Sequence, residues 1–341
     1  MPKVSVIIPV FNCEAYIEEC LRSVMGQSER DLEMVVVDDG SSDDGVTIAK
    51  RLAREDERIC IYFRPHSGKP GVSRNVGLSH ATGRYITFLD GDDLYHPDKL
   101  KISLSAFDTS EDIDIIFHDF RPFRKQPDGG PSFLQNTLFA TRAADHLQSV
   151  GNNTYIARND LYVFASLEFV PLHISSTVFR RELLGPQSAW FREDMRNGDD
   201  GDFWLRLVRN RKIVFVDRIL SYYRQREASI SSDLVEHLSG SIQLHSENLE
   251  RGLNVFSPKE ASLYRSKIAT LLLDLGYQYF CAFRGRQARS AYRRSIGLDF
   301  RAGTLVAYLK TFAPESIVHI YRRAAAIVSD PRGWVRRPVG T

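Results

Sequence analysis

Three carboxylates stand within four positions at Asp90-Gly91-Asp92-Asp93, directly after the strand-like run Tyr85-Ile86-Thr87-Phe88-Leu89. Acids this close repel one another unless a cation or a ring of hydrogen-bond donors holds them. Oxygen-only ligands select Mg²⁺ or Mn²⁺, which keep waters and take substrate phosphates to complete their shell. A metal carrying a phosphate is one reading; a solvated turn leading into a helix at Pro97-Asp98-Lys99 is the other. A second acid pair, Asp38-Asp39, follows Met34-Val35-Val36-Val37 and precedes Gly40-Ser41-Ser42. One of its carboxylates would accept a hydrogen bond from a base N–H or a ribose hydroxyl, or the same residues would form a capped turn. Between the pairs lies Gly68-Lys69-Pro70-Gly71-Val72-Ser73-Arg74-Asn75, a glycine-rich loop opening a helix of the kind that faces phosphate.

Such acids need strands to place them. Apolar runs at 4–8, 34–37, 59–63 and 85–89 predict four strands, and the stripe Ile17, Leu21, Val24 and Met25 predicts a helix over 14–27. A second helix carries Ala49, Leu52 and Ala53 inward, and a third, short one spans 72–80. Strands alternating with helices imply βαβ units and a mostly parallel sheet, so both acid pairs fall at one carboxyl edge and share a cleft.

With 341 residues and 43% hydrophobic content the chain can bury one large core or two ordinary ones. The net charge is only +2, yet residues 284–337 hold twelve Lys and Arg against Asp299, Glu315 and Asp330, which points to an anionic partner there. Nucleic acid is disfavoured, because no stacking aromatics interleave those cations on a recognisable module. Cys13, Cys20, Cys60 and Cys281 show neither zinc nor disulfide spacing. The apolar run 4–10 is cut off by Asn12 and Glu14 and reads as a strand, not a signal peptide. No run approaches the ~20 apolar residues of a membrane span, and a reducing cytoplasm is the expected location.

Four ordered stretches carry a resemblance: Val4-Ser5-Val6-Ile7-Ile8-Pro9-Val10-Phe11-Asn12, Val37-Asp38-Asp39-Gly40-Ser41-Ser42-Asp43, Gly71-Val72-Ser73-Arg74-Asn75-Val76-Gly77-Leu78, and Gly83-Arg84 through Asp93. Together they resemble glycosyltransferase family 2, an inverting family of GT-A fold with a DxD metal motif. The resemblance is dense over 1–105, has no clear match over 124–170, and returns at 173–232. It implies a Rossmann-like α/β domain over 1–232, with a nucleotide half at 1–105 and an acceptor half at 106–232, followed by a helical region at 233–341.

The resemblance also implies roles. Pro9, Phe11, Asp39, Arg74, Asp90 and Arg226 would meet the nucleotide. Phe11 would pack on the base and Asp39 accept from it, which favours uracil, while Arg74 approaches the nucleotide. Asp92 would ligate Mn²⁺ or Mg²⁺ directly, Asp90 would bind the metal, its water or the ribose, and Asp93 would be a supporting or helix-capping acid. Gly198-Asp199-Asp200-Gly201 is similar to the family's Glu-Asp motif, with Asp199 at the usual Glu position and Asp200 as the catalytic base. A carboxylate at a helix start is also favoured by the dipole alone. A departure stands at Arg226, where the family often has a His that adds a metal ligand. Arginine cannot ligate, so either the metal has fewer protein ligands, or Arg226 binds diphosphate oxygens itself, or it only decorates a flexible flap.

The resemblance therefore implies a metal-dependent hexosyl transfer from a UDP-sugar to a glycan or lipid-linked glycan, in polysaccharide or glycoconjugate synthesis. The alternative is a non-catalytic sugar-nucleotide-binding or scaffold protein of the same fold. Beyond 233 the period is helical: Val235, Leu238, Ile242, Leu249 and Leu253 form a stripe, Ser257 to Glu260 a capping box, and Gly297 ends a third helix. Residues 305–328 pair an apolar stripe with Lys310, Arg322 and Arg323, which suits an anionic membrane surface, a core or a subunit contact.

Overall fold

The computed structural model describes residues 1–312 except 110–111, 128, 159–160, 187–188 and 227–232. The chain divides into two compact units, Met1–Asp233 and Leu234–Thr341.

In the first unit β1 (Val4–Val10) lies between β2 (Leu32–Asp38) and β4 (Tyr85–Phe88), with β3 (Ile59–Phe63) outside β2; all four strands are parallel. They are joined by α1 (Ile17–Met25), α2 (Gly45–Glu55) and α3 (Pro70–His80). Both faces of β1 are covered, which explains why it reads as a continuous apolar run rather than an alternating one. Ile17, Leu21 and Val24 of α1 pack with Val6, Ile8 and Val36 on one side. On the other, α3 comes so close that a Cβ on Gly77 would lie 2.3 Å from Ile7 Cγ2, so only glycine fits there. Each fully buried Leu or Ile of this layer stabilises the fold by ~1.5–3 kcal/mol.

The chain continues through β5 (Leu94–Tyr95), α4 (Lys99–Ala106), β6 (Ile115–Phe123), the short helices α5 (Phe133–Asn136) and α6 (Phe139–Arg142), and the hairpin β7 (Leu147–Gly151) and β8 (Thr154–Ala157). After α7 (Tyr162–Leu167) come β9 (Thr177–Arg180), α8 (Asp199–Leu207) and β10 (Ile213–Arg224). The sheet order is β3-β2-β1-β4-β9-β6-β10-β8-β7, with β5 paired to β10. β9 is antiparallel to both β4 and β6, so a parallel half is joined to a mixed half. The aromatic-rich stretch before β9 closes the core: Phe139 and Phe164 are buried, and Phe139 meets Phe117 and Phe215 edge-on.

Several boundaries differ from expectation. The first helix opens at Ile17, because a turn from Tyr16 N to Cys13 O precedes it. The third begins at Pro70, inside the glycine-rich loop, with Pro at its first position. Asp93 caps no helix, since β5 intervenes before α4.

The second unit consists, over its described residues, of α9 (Leu234–Arg251), α10 (Pro258–Cys281), α11 (Gly285–Leu298) and α12 (Ala302–Lys310). The capping box is formed: Glu260 Oε2 accepts from Ser257 N at 2.7 Å, and Ser257 Oγ accepts from Glu260 N at 3.3 Å. Leu238, Ile242 and Leu249 are buried, but Leu253 is exposed and leaves the stripe. Gly297 lies within the last turn of α11 instead of ending it. Leu305, Val306, Leu309 and Phe312 are exposed, and 313–328 lies outside the described residues. No helix among the described residues is long and apolar enough to cross a membrane.

Candidate active site

Parallel register puts Asp38 opposite Val10 and Phe88 opposite Ile7, so β2 and β4 deliver their acids to the same sheet edge. Pro9 lies in β1 opposite Val37, and its carbonyl backs Gly91 at 3.2 Å from where a Cβ would stand. Asp38 turns inward to cap its own loop, accepting from Gly40 N and Ser41 N at 3.2 Å.

Asp39 is buried and ringed by donors from the loop after β3. It pairs with Arg64, accepts from Ser67 N at 3.1 Å and Gly68 N at 3.2 Å, and lies 3.1 Å from His66 Nδ1. Phe11 is exposed, and its ring is stacked on His66, centroids 4.1 Å apart and 20° from parallel. The two expected base contacts are therefore neighbours, joined by a histidine that sequence reasoning did not single out.

The strand-end acids divide into unlike environments. Asp90 is partly exposed and accepts from Arg74 Nη2 at 2.8 Å. Asp92 is nearly buried, and its Oδ2 meets Arg226 Nε at 2.6 Å. Burial pushes the Asp92 carboxyl above its ordinary value, against the opposing pull of Arg226. Asp93 is wholly buried and structural: Ser175 Oγ donates to it at 2.8 Å and Arg224 N at 2.9 Å. Burial lifts Asp93 well above the carboxylate range, with Asp92 and Asp90 adding to the rise. Arg224 donates through Nε to the Asp92 carbonyl at 2.8 Å and pairs with Glu19 at 2.6 Å, its guanidinium between Phe123 and Tyr16.

The Gly198-Asp199-Asp200-Gly201 stretch comes to the same place. Gly198, at φ 85°, turns the chain so that Asp199 and Asp200 become the first residues of α8. Arg74, buried in α3, reaches Asp90 with one nitrogen and Asp199 Oδ2 with the other at 3.3 Å, over the ring of Phe191. A Cβ on Gly71 would stand 2.6 Å from Asp199 Oδ2, so that glycine is what lets α8 approach α3. Asn75 fixes the intervening loop by donating to the Phe191 carbonyl and accepting from Trp190 N and Phe191 N, all at 2.8–3.0 Å. Burial raises the Asp199 carboxyl to about 7, while Arg74 pulls it down and Asp200 pushes it up. Asp200 is half-buried, with Oδ1 accepting from Gly201 N at 2.8 Å.

Residues 5–165 match the family model described as glycosyl transferase family 2. This stretch is a family 2 glycosyltransferase domain. The match runs through 124–165, which overturns the expectation of no clear resemblance there. The domain is similar, 40% identical over 94 residues covering 27% of this chain and 30% of the relative, to the GalNAc(5)-diNAcBac-PP-undecaprenol β-1,3-glucosyltransferase of Campylobacter jejuni. The chain spans about two fifths or less of the length of the first curated relatives it matches. Two solved structures share the fold. Residues 1–349 of S. aureus TarS in complex with UDP-GlcNAc align at TM-score 0.55 and 20% identity, over 94% of this chain and 92% of that one. The mannosyltransferase PcManGT of Pyrobaculum calidifontis, in complex with GDP-Man and Mn²⁺, aligns at TM-score 0.57 and 16% identity, over 98% and 83%. The α/β architecture with a helical C-terminal region is thus that of GT-A glycosyltransferases.

Asp90 and Asp92 offer the hard oxygens that suit a divalent ion completed by phosphate and water, and such an ion would have to take the place of the Arg226 guanidinium 2.6 Å from Asp92 Oδ2. Among the described residues no cluster of three His, Cys, Asp or Glu forms around them.

Proposed function

We propose that the family 2 domain moves a sugar from a nucleoside diphosphate donor, UDP favoured, to a hydroxyl of a glycan or lipid-linked glycan, with inversion. The observation that carries this reading is Arg74, which ties Asp90 at the end of β4 to Asp199 at the start of α8. Asp90 on the donor side and Asp199 of the base motif, more than a hundred positions apart in sequence, converge on one guanidinium. The solved relatives bound to UDP-GlcNAc and GDP-Man support a nucleotide-sugar at this cleft, and the undecaprenol-linked substrate in a relative's name supports a lipid-linked acceptor.

In this reading Phe11 packs on the base and Asp39 accepts from it, with the loop from Arg64 to Gly68 fixing Asp39. Asp90 and Asp92 would hold Mn²⁺ or Mg²⁺, which when bound neutralises charge growing on the departing diphosphate. Asp200 takes the proton of the acceptor hydroxyl, since an alcohol attacks an anomeric carbon poorly while it keeps its proton; such a base contributes ~10²–10⁴-fold. Base and leaving group on opposite faces of the sugar give direct displacement, so an α-linked donor yields a β-linked product. Arg74 holds the two halves in register. Exposed Leu305, Val306, Leu309 and Phe312 beside a basic sequence support a location at the cytoplasmic face of an anionic membrane.

The test is donor hydrolysis and transfer, sugar-nucleotide by sugar-nucleotide, with Mn²⁺ present. Turnover of at least one UDP-sugar is expected. Tight UDP binding without turnover of any donor would instead favour a binding or scaffold protein, and GDP binding in place of UDP would overturn the choice of base.

A further inference from the structure

Asp90 and Asp92 of the strand-end motif are each held by an arginine, but the arginines are held differently. Arg74 is buried, keeps a second partner in Asp199 and lies over Phe191. Arg226 follows the end of β10, a third of its side chain is exposed, and besides Asp92 it meets the ring of Tyr16 at 5.5 Å. Two residues earlier, Arg224 is pinned by the Asp92 carbonyl, Glu19 and two aromatic rings. Arg224 therefore fixes the strand end beside Asp92 and leaves Arg226 on a short arm whose anionic partner, among the described residues, is the nearly buried Asp92 carboxylate.

We propose that Arg226 is a diphosphate-binding residue that Asp92 holds in reserve: a divalent cation takes its place on the carboxylate, and the nucleotide's diphosphate receives the guanidinium. This rests on the nucleotide-sugar reading of the cleft. A planar guanidinium pairs with two phosphate oxygens at once, so the exchange gives Arg226 a partner at least as good as the one it leaves. The cation alone has no such exchange to offer. It must strip a nearly buried carboxylate of its counter-charge and then sit beside a displaced, always-charged arginine, which costs both desolvation and like-charge repulsion. Cation and nucleotide should consequently bind with strong positive coupling, and by linkage each raises the other's affinity by the same factor.

The experiment measures Mn²⁺ binding to the full chain by electron paramagnetic resonance, with and without UDP, and UDP binding by calorimetry. Wild type should bind Mn²⁺ weakly alone and much more tightly with UDP. Arg226→Gln removes the competing charge from a partly exposed position. It should bind Mn²⁺ about tenfold more tightly without nucleotide and show a coupling factor about tenfold smaller, within the usual range for such linkage. Arg226→Lys keeps the charge and should leave nucleotide-free Mn²⁺ affinity within about threefold of wild type. If Arg226→Gln leaves nucleotide-free Mn²⁺ affinity unchanged or lower, or leaves the coupling factor intact while UDP still binds, Arg226 is not the exchanging residue and the cleft's assignment stands. If neither UDP nor GDP binds with Mn²⁺ present, the assignment of the cleft falls and takes the exchange with it.

Discussion

Asp199→Asn should make the first unit more stable at alkaline pH while lowering turnover. Asp199 is only 6% exposed, and burial raises its carboxyl from an ordinary 3.8 to about 7. The folded state therefore binds the proton more tightly than the unfolded chain. Stability from this group is fully present below the unfolded value, near 3.9, and is lost as pH rises towards 7. About three powers of ten in proton affinity, at ~1.4 kcal/mol each, set the cost of ionised Asp199 at ~4 kcal/mol. Asparagine keeps the shape and carries no charge. Arg74 loses one partner in the variant but keeps Asp90, so part of the gain is offset and a net of ~1–4 kcal/mol at pH 8.5 is expected. Urea unfolding at pH 4.5, 6, 7 and 8.5, followed by the fluorescence of Trp190 and Trp204, both buried in this unit, reads the effect. The variant's advantage should vanish towards pH 4.5 and grow to its full size above 7. A difference that ignores pH, or a variant less stable than wild type at pH 8.5, would refute the argument.

Asp200→Asn should leave nucleotide binding within twofold or so and cut turnover by at least ~10²-fold, measured by donor titration and steady-state kinetics; if only Asp199→Asn did this, the base assignment would move by one residue. Lys99 is wholly buried with its Nζ donating to Thr87 Oγ1 at 2.6 Å, and burial pushes its amine well below the ordinary 10.5. The unfolded chain then binds the extra proton up to the ordinary lysine value, so Lys99→Met should gain ~1–3 kcal/mol near pH 7 in thermal unfolding and lose that advantage as pH rises towards 10.5. If residues 305–328 lie on a membrane, each Lys or Arg adds ~1 kcal/mol of attraction, screened over ~8 Å at physiological salt. Co-sedimentation with anionic vesicles should then fall as salt rises and disappear on truncation after Ile296, with UDP binding kept; indifference to lipid charge would end that reading.

The parallel half was legible because its strands are covered on both faces. Residues 4–8, 34–37 and 85–89 read as apolar runs, and their register fixes which acids share an edge. β9 was not legible as the strand that splits the sheet into parallel and mixed halves. It has four residues, and its partners in β4 and β6 lie some sixty to ninety positions away, so nothing local announces that it runs antiparallel to both. The acids were visible as clusters, whereas the groups that hold them were not. Arg74 reaches Asp199 across 125 positions, Asp39 is ringed from Arg64 to Gly68, and Arg224 arrives at Asp92 from 132 positions away. Charge clusters are local in sequence; their neutralisation depends on which segments the fold makes adjacent.

That neutralisation has a consequence for how the cleft takes its ligands. Asp39, Asp90 and Asp92 each carry an arginine, and the three arginines come from the loop after β3, from α3 and from beyond β10. A cleft of unpaired acids would attract free cations strongly, and one of unpaired arginines would hold any passing phosphate. With the charges paired, either ion alone must break an existing contact, and only a ligand bringing both signs can replace every contact it removes. A nucleoside diphosphate with its divalent cation is such a ligand. Inorganic phosphate without metal, offered at the concentration that suffices for UDP with Mn²⁺, should therefore leave the cleft unfilled, because it would strand Asp92 and Asp90 without counter-charge in a partly buried site.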